Sequence, residues 1–279
     1  DHTVEVQKKC FELGISDFIA KPFNNAIIKQ RVKNTAEFFD YKLKLEDKVA
    51  EQTNVLRKAY RTLQIQAEHL KKKNQQIIEM LGTVVEYRST ESGEHIQRVK
   101  GYTRILAEAV MEDYPEYELT KEKIDIIESV SALHDIGKIA IPDRILLKPG
   151  RLTSEEFEYM KSHTIRGCEL LDSIKEDWND DTMKYAYEIC RHHHERYDGK
   201  GYPDGLVGDE IPICAQLVSV ADVYDALVNE RCYKDAFSKE DAYRMIITGE
   251  CGVFSPKLME SFRKVRPAFE KLANKSFRK

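Results

Sequence analysis

The chain has 279 residues, enough for one or two domains with a sizeable core, and 42% hydrophobic content excludes a disordered chain. A formal net charge of −4 leaves no general basic field to hold long nucleic acid, although a small anionic ligand needs only a few local cations. No apolar run approaches the roughly 18 residues that cross a bilayer, and the first residues lack the blocks of a signal peptide, so a cytoplasmic protein off the membrane is expected.

From Cys10 the pattern predicts the end of a helix, a turn at Gly14, a short apolar strand over Asp17–Ala20, and a Lys21-Pro22-Phe23 turn into a second helix. The stretch Gly14-Ile15-Ser16-Asp17-Phe18-Ile19-Ala20-Lys21-Pro22-Phe23 resembles the last strand and Lys-Pro turn of response-regulator receiver domains. About 30 residues cannot bury a stable core alone. Residues 1–35 are therefore expected to be a truncated receiver remnant without the means to be phosphorylated in the receiver manner.

Between Ala36 and Arg88 there is no proline and a single glycine, Gly82, in a run rich in Lys, Glu, Gln and Leu, which predicts one long helix. Val49, Leu56, Leu63, Leu70, Ile77 and Val84 recur every seven residues, partnered four residues on by Tyr60, Ala67, Asn74 and Leu81. That spacing is the seam of a parallel two-stranded coiled coil, so a homodimer through residues 36–85 is expected, with Asn74 able to set register. The alternative is a single amphipathic helix lying on its own domain; the polarity of the opposite face favours the dimer.

The remainder alternates amphipathic helical stretches with polar loops: His95–Met111, Lys123–Leu133, Ser154–Leu171, Thr182–His194, Ala215–Asn229 and Lys239–Thr248. Thr153 or Ser154, followed by Glu155 and Glu156, caps one of them. An all-α catalytic domain over 86–279 follows.

Six of the eight histidines (His95, His134, His163, His192, His193 and His194) fall in this region, between positions 95 and 194. A lone histidine is more often a satisfied core or surface residue than a ligand, so the neighbours decide. His134-Asp135 sets an imidazole beside a carboxylate among Leu133, Ile136, Ile139 and Ile141, where a buried carboxylate is costly without a counter-charge. A divalent cation offsets that cost, and a mixed nitrogen and oxygen donor set suits iron, manganese or zinc better than calcium. Glu91 and His95 stand four apart and on a helix would share a face, although Gly93 between them leaves ordinary surface polarity as an equal reading. Asp222 and Asp225 lie three apart in the apolar stretch Val218–Leu227, where a carboxylate faces a partner or a metal; for Asp225 a supporting hydrogen bond is preferred.

Taken in order, these pieces resemble the HD-GYP family. His134-Asp135-Ile136-Gly137-Lys138 is similar to its HD-x-GK element, Ile141-Pro142-Asp143 and Lys148-Pro149-Gly150 to the following loop, and Gly201-Tyr202-Pro203 to the motif that names the group. His193-His194-Glu195, Asp198-Gly199 and Asp222-Val223-Tyr224-Asp225-Ala226-Leu227 complete a match over roughly residues 86 to 265. The resemblance implies an HD-superfamily helical bundle holding two or three divalent metals, iron or manganese, on His95, His134, Asp135, His163, His193, His194 and Asp222, with Asp135 bridging. Glu91 stands where some members carry a further glutamate, which favours three ions over two. His192 precedes the matched pair and is not assigned.

The same resemblance implies a bacterial signalling phosphodiesterase that hydrolyses cyclic di-GMP to pGpG, GMP or both. Clustered cations acidify a bridging water and neutralise phosphate oxygens, so hydroxide can attack without a protein nucleophile. The six cysteines include no C-x-x-C pair and are read as reduced structural thiols. Lys138 is expected to act in catalysis by neutralising a phosphate oxygen, and Arg231 and Lys234 to contact the dinucleotide. The glycine-rich loop Arg196–Pro212 is expected at the surface beside the site, where the resemblance adds contact with a partner signalling domain. Two alternatives stay open: another cyclic dinucleotide such as 3′3′-cyclic GMP-AMP as substrate, and a non-catalytic cyclic di-GMP receptor.

Overall fold

The computed structural model describes residues 4–15, 17–19, 21–22, 24–89, 93–173, 178, 180–229 and 236–275. Glu91, Arg231 and Lys234 lie outside the described residues. Among those described there is no strand beyond an isolated bridge between Asp198 and Val207, and the architecture is all-α. The chain divides into two compact units, Asp1–Lys71 and Lys72–Lys279.

In the first unit, helix α1 (Val4–Glu12) buries none of its residues. The expected strand is not formed: Asp17 to Ile19 have no regular structure. A strand needs a neighbour to take its backbone N–H and C=O groups, and none of the described residues supplies one. Instead Asp17 is tied by its side chain, accepting from Arg31 Nε at 2.8 Å. Helix α2 (Asn25–Arg88) starts where the Asn24 carboxamide oxygen accepts the N–H groups of Ala26 and Ile27 at 3.0 and 3.3 Å. The helix predicted after the Lys-Pro turn and the one predicted from Ala36 are thus a single element, and the expected boundary at 35/36 falls inside it. The reason is local: from Asn25 to Leu81 the sequence offers no proline or glycine to stop a helix.

The second unit is built around α3 (Gly93–Asp113), against which α4 (Lys121–Val130), α9 (Ile213–Val228) and α11 (Pro256–Ala273) pack. Tyr102 of α3 stacks on Phe269 of α11 at 4.6 Å and meets Tyr224 of α9 edge-on at 5.2 Å, all three fully buried. Helix α8 (Asp180–His192) lies against α4, α7 (His163–Asp172) and α9. The stretch expected as one helix over 154–171 is two, because the chain turns at Ser162 between α6 (Ser154–Lys161) and α7. That break sets His163 at the start of a helix. Thr153 and Glu156 form the expected cap reciprocally: the Thr153 hydroxyl accepts from Glu156 N, and the Glu156 carboxylate from Thr153 N at 2.7 Å. Short α5 (Asp143–Leu146) and α10 (Lys239–Thr248) complete the described helices.

Candidate metal centre

After α4 the chain tightens into two short 3-10 turns, Ser131–Leu133 and Ile136–Ala140, and His134 and Asp135 sit between them. Gly137 lets this segment touch α7, because a Cβ there would lie 1.8 Å from the His163 carbonyl oxygen. The contact delivers His163 to the same place. His193 and His194 follow the last turn of α8, His95 lies in the first turn of α3, and Asp222 projects from α9.

The imidazoles are held by their outer nitrogens. His134 Nδ1 lies 2.8 Å from Ser131 O, His163 Nδ1 2.8 Å from Met160 O, and His193 Nδ1 2.9 Å from Ile189 O. A carbonyl only accepts, so each Nδ1 carries a hydrogen, and in the neutral ring the inward Nε2 is the nitrogen left with a lone pair. These three Nε2 atoms are buried and have no hydrogen-bond partner. His95 Nδ1 is held at 2.8 Å by the Asp225 carboxylate, which also accepts from Arg98 Nε at 2.6 Å. Asp135 stands among the rings: its Oδ1 is 3.1 Å from His163 Nε2 and 3.7 Å from His193 Nε2, and its Oδ2 is 3.2 Å from His134 Nε2. Asp222 Oδ1 lies 3.7 Å from His95 Nε2 and 4.0 Å from His134 Nε2.

Two sets of donor atoms converge in this way. Asp135, His163, His193 and His194 form one and Glu86, His95 and His134 the other, the atoms of each lying within 4.8 Å of one another. Buried imidazole lone pairs aimed at shared carboxylates fit a divalent transition-metal ion, and the outer hydrogen bonds to carbonyls and Asp225 are the supports that metal-binding histidines use.

Residues 59–251 match the family model described as HD domain. The chain belongs to the HD domain family. A probable cyclic di-GMP phosphodiesterase of Vibrio cholerae is 36% identical over 90% of this chain and 56% of its own length. A cyclic di-GMP phosphodiesterase of Thermotoga maritima is 36% identical over 94% of this chain and 68% of its own length. The chain thus spans about half to two thirds of these relatives. Among solved structures, a cyclic GMP-AMP specific phosphodiesterase of Vibrio cholerae aligns with a TM-score of 0.51 at 16% identity, covering 72% of this chain and 51% of that one, a likeness of fold.

Within the HD domain the two donor sets differ electrostatically. Burial disfavours the charged form of His134, yet Asp135, Asp222 and Glu86 outweigh it and push its pKa up to about 10. His95 is raised as well: burial opposes charge, and the Asp225 hydrogen bond with Glu86 and Asp222 overcomes it. Burial lowers His193 and takes His194 well below its usual value, and neighbouring imidazoles add to both effects. Burial also works against the Asp135 carboxylate, but Lys138 and His134 hold its pKa well below the ordinary range.

The structure therefore gathers His95, His134, Asp135, His163, His193, His194 and Asp222, and Lys138 Nζ joins them 2.6 Å from Asp135 Oδ2. His192 points elsewhere, its Nε2 3.0 Å from Asp204 Oδ2. Glu86 stands out nowhere in the sequence, while Tyr202 and Glu195 stand there only as members of the matched motifs, with no role of their own. Tyr202 packs its ring 4.7 Å from that of His194, and Glu195 accepts the N–H groups of Asp204, Gly205 and Leu206 at 2.7, 3.0 and 3.1 Å, pinning the glycine-rich loop. Glu195 had a signal in the sequence, an acid followed by a glycine-rich turn full of unsatisfied backbone donors. Glu86 had none, because in a long charged helix it reads as one more solvated acid.

Proposed function

We propose that the chain carries a metal-dependent phosphodiesterase that opens cyclic di-GMP to pGpG and takes it on to GMP, as its HD-GYP resemblance implies. The observation that carries this reading is the set of buried imidazole Nε2 lone pairs converging on Asp135. The names of the Vibrio and Thermotoga relatives support the choice of substrate. Ligands would be His95, His134, Asp135, His163, His193, His194 and Asp222, with Asp135 facing both donor sets and Glu91 favouring three ions over two. Divalent iron or manganese bound there would supply the Lewis acidity that activates water and neutralises the phosphodiester. The protein's own groups do the rest. The Nδ1 hydrogen bonds orient the rings of His95, His134, His163 and His193, Lys138 offers its ammonium to a non-bridging phosphate oxygen, and Arg231 and Lys234 bind the dinucleotide.

We further assign residues 86–279 as the catalytic domain, 36–85 as a signalling helix and 1–35 as a receiver remnant, and place the protein in the cytoplasm; no described helix is long and apolar enough to cross a membrane. Pairing of two chains along α2 is supported by the exposed seam, where Leu56, Leu63 and Leu70 are 71, 63 and 60% accessible. A monomer by analytical ultracentrifugation would refute that pairing. The glycine-rich loop is the proposed contact for a partner signalling domain, checked by whether Lys200→Glu weakens its capture.

The function is tested by metal analysis of anaerobically purified protein together with chromatography of products from cyclic di-GMP. Bound ions with pGpG or GMP are expected. Bound ions without turnover of any cyclic dinucleotide would make the chain a receptor instead.

A further inference from the structure

We infer that Glu86, from the last turn of α2, is itself a ligand, completing with His95, His134 and Asp222 a second ion site beside the one at His163, His193 and His194. This deepens the proposed function and rests on its metal centre. Glu86 is 1% exposed, and a carboxylate at that depth costs several kcal/mol unless a cation or strong donors compensate it. Its donor oxygen lies within 4.8 Å of those of His95 and His134, and Asp222 Oδ1 closes the group at 3.7 and 4.0 Å from the same two rings. Two imidazoles and two carboxylates make a four-donor set whose charge a divalent transition metal neutralises.

The approach of α2 is built to hold that carboxylate in place. One turn before Glu86, Gly82 lies so close to the 131–133 turn that a Cβ would sit 2.3 Å from Ala132 O. Two residues after it, the Arg88 guanidinium donates to the carbonyls of Lys138, Ile139 and Ile141 at 3.1, 2.6 and 2.7 Å and to Asp143 at 2.6 Å. Both contacts are to the chain on either side of His134-Asp135. Glu86 is thus held between a close backbone approach at Gly82 and a multiply bonded guanidinium at Arg88.

The test is ion content and ion affinity of the full chain and its Glu86→Gln variant, read by metal analysis and by competition with a chelating dye, beside melting of the ion-free forms. Glu86→Gln is expected to lose about one ion per chain and to weaken that ion at least 100-fold, with ion-free melting unchanged or raised and partial recovery in Glu86→Asp. Equal ion content and affinity overturn the inference. So does a lower melting temperature of the ion-free variant, since that marks a purely structural carboxylate. Wild-type protein that binds no ion would sink the proposed function and this inference together, whereas a loaded wild type with an unaffected variant sinks this one alone.

Discussion

His134 and His194 belong to the two halves of one site, and their rings respond oppositely to a proton. His134 faces Asp135, Asp222 and Glu86 and is raised to about 10, while His194 is buried among His193 and His163 and is lowered. Both are imidazoles withdrawn from water within reach of Asp135 and Asp222; what differs is that His134 also has the Asp135 hydrogen bond and Glu86, whereas His193 and His163 disfavour charge on His194. In the carboxylate-rich half His95 and His134 favour the charged form, whereas in the imidazole-rich half His193 and His194 favour the neutral one. A metal ion entering the first half must displace a proton, and one entering the second does not.

The contrast can be broken outright by removing the residues between the halves. His134→Ala with Asp135→Ala is expected to abolish turnover and empty both ion sites while circular dichroism still reports the helical fold; retained activity would refute the site. A smaller change isolates the carboxylate-rich half. Asp225→Asn leaves the buried Arg98 charge with only the longer contact to Glu94 at 3.5 Å and loosens the His95 ring, so a loss of about 3 kcal/mol in urea unfolding is expected. A 10 to 100-fold weaker ion at His95 should accompany it in metal titration.

The proton affinities sharpen the comparison through pH. For ion-free protein the His134 pKa is raised above its ordinary 6.5, so its contribution to stability is complete below about 6.5 and is lost as pH rises through about 10. Melting of chelated protein should therefore fall across that window relative to His134→Gln, which lacks the term. Ion binding to the wild type should tighten over the same range as protons leave. The smallest effect is expected in the other half: Tyr202→Ala removes the ring packed on His194 and should cost about 1 kcal/mol of ion affinity, with the carboxylate-rich half unchanged. A loss from both halves would show that they are not separable.

Most of the site was legible because its signals are local. His134-Asp135 announced itself as a carboxylate among isoleucines, and Asp222 and Asp225 as acids in an apolar helix, with Asp225 taking the supporting hydrogen bond to His95 that such a position favours. The helices of the second unit follow from periodicity, and the Thr153 cap from residue type at fixed spacing. Other features are not local. No pattern says that Asp17 to Ile19 lack a strand partner, or that Gly82 and Arg88 seat the end of α2 against the segment bearing His134.

By itself, then, the sequence determined the all-α architecture and the long helix, since amphipathic spacing is a property of neighbouring positions, and its family resemblance named the residues that gather around Asp135. Tertiary structure alone decided which ring nitrogen faces inward, how many carboxylates surround each imidazole, and that Glu86 is buried. Those outcomes depend on distances between segments far apart in the chain, and a carboxylate on a charged helix has no preference for the core until another element closes over it.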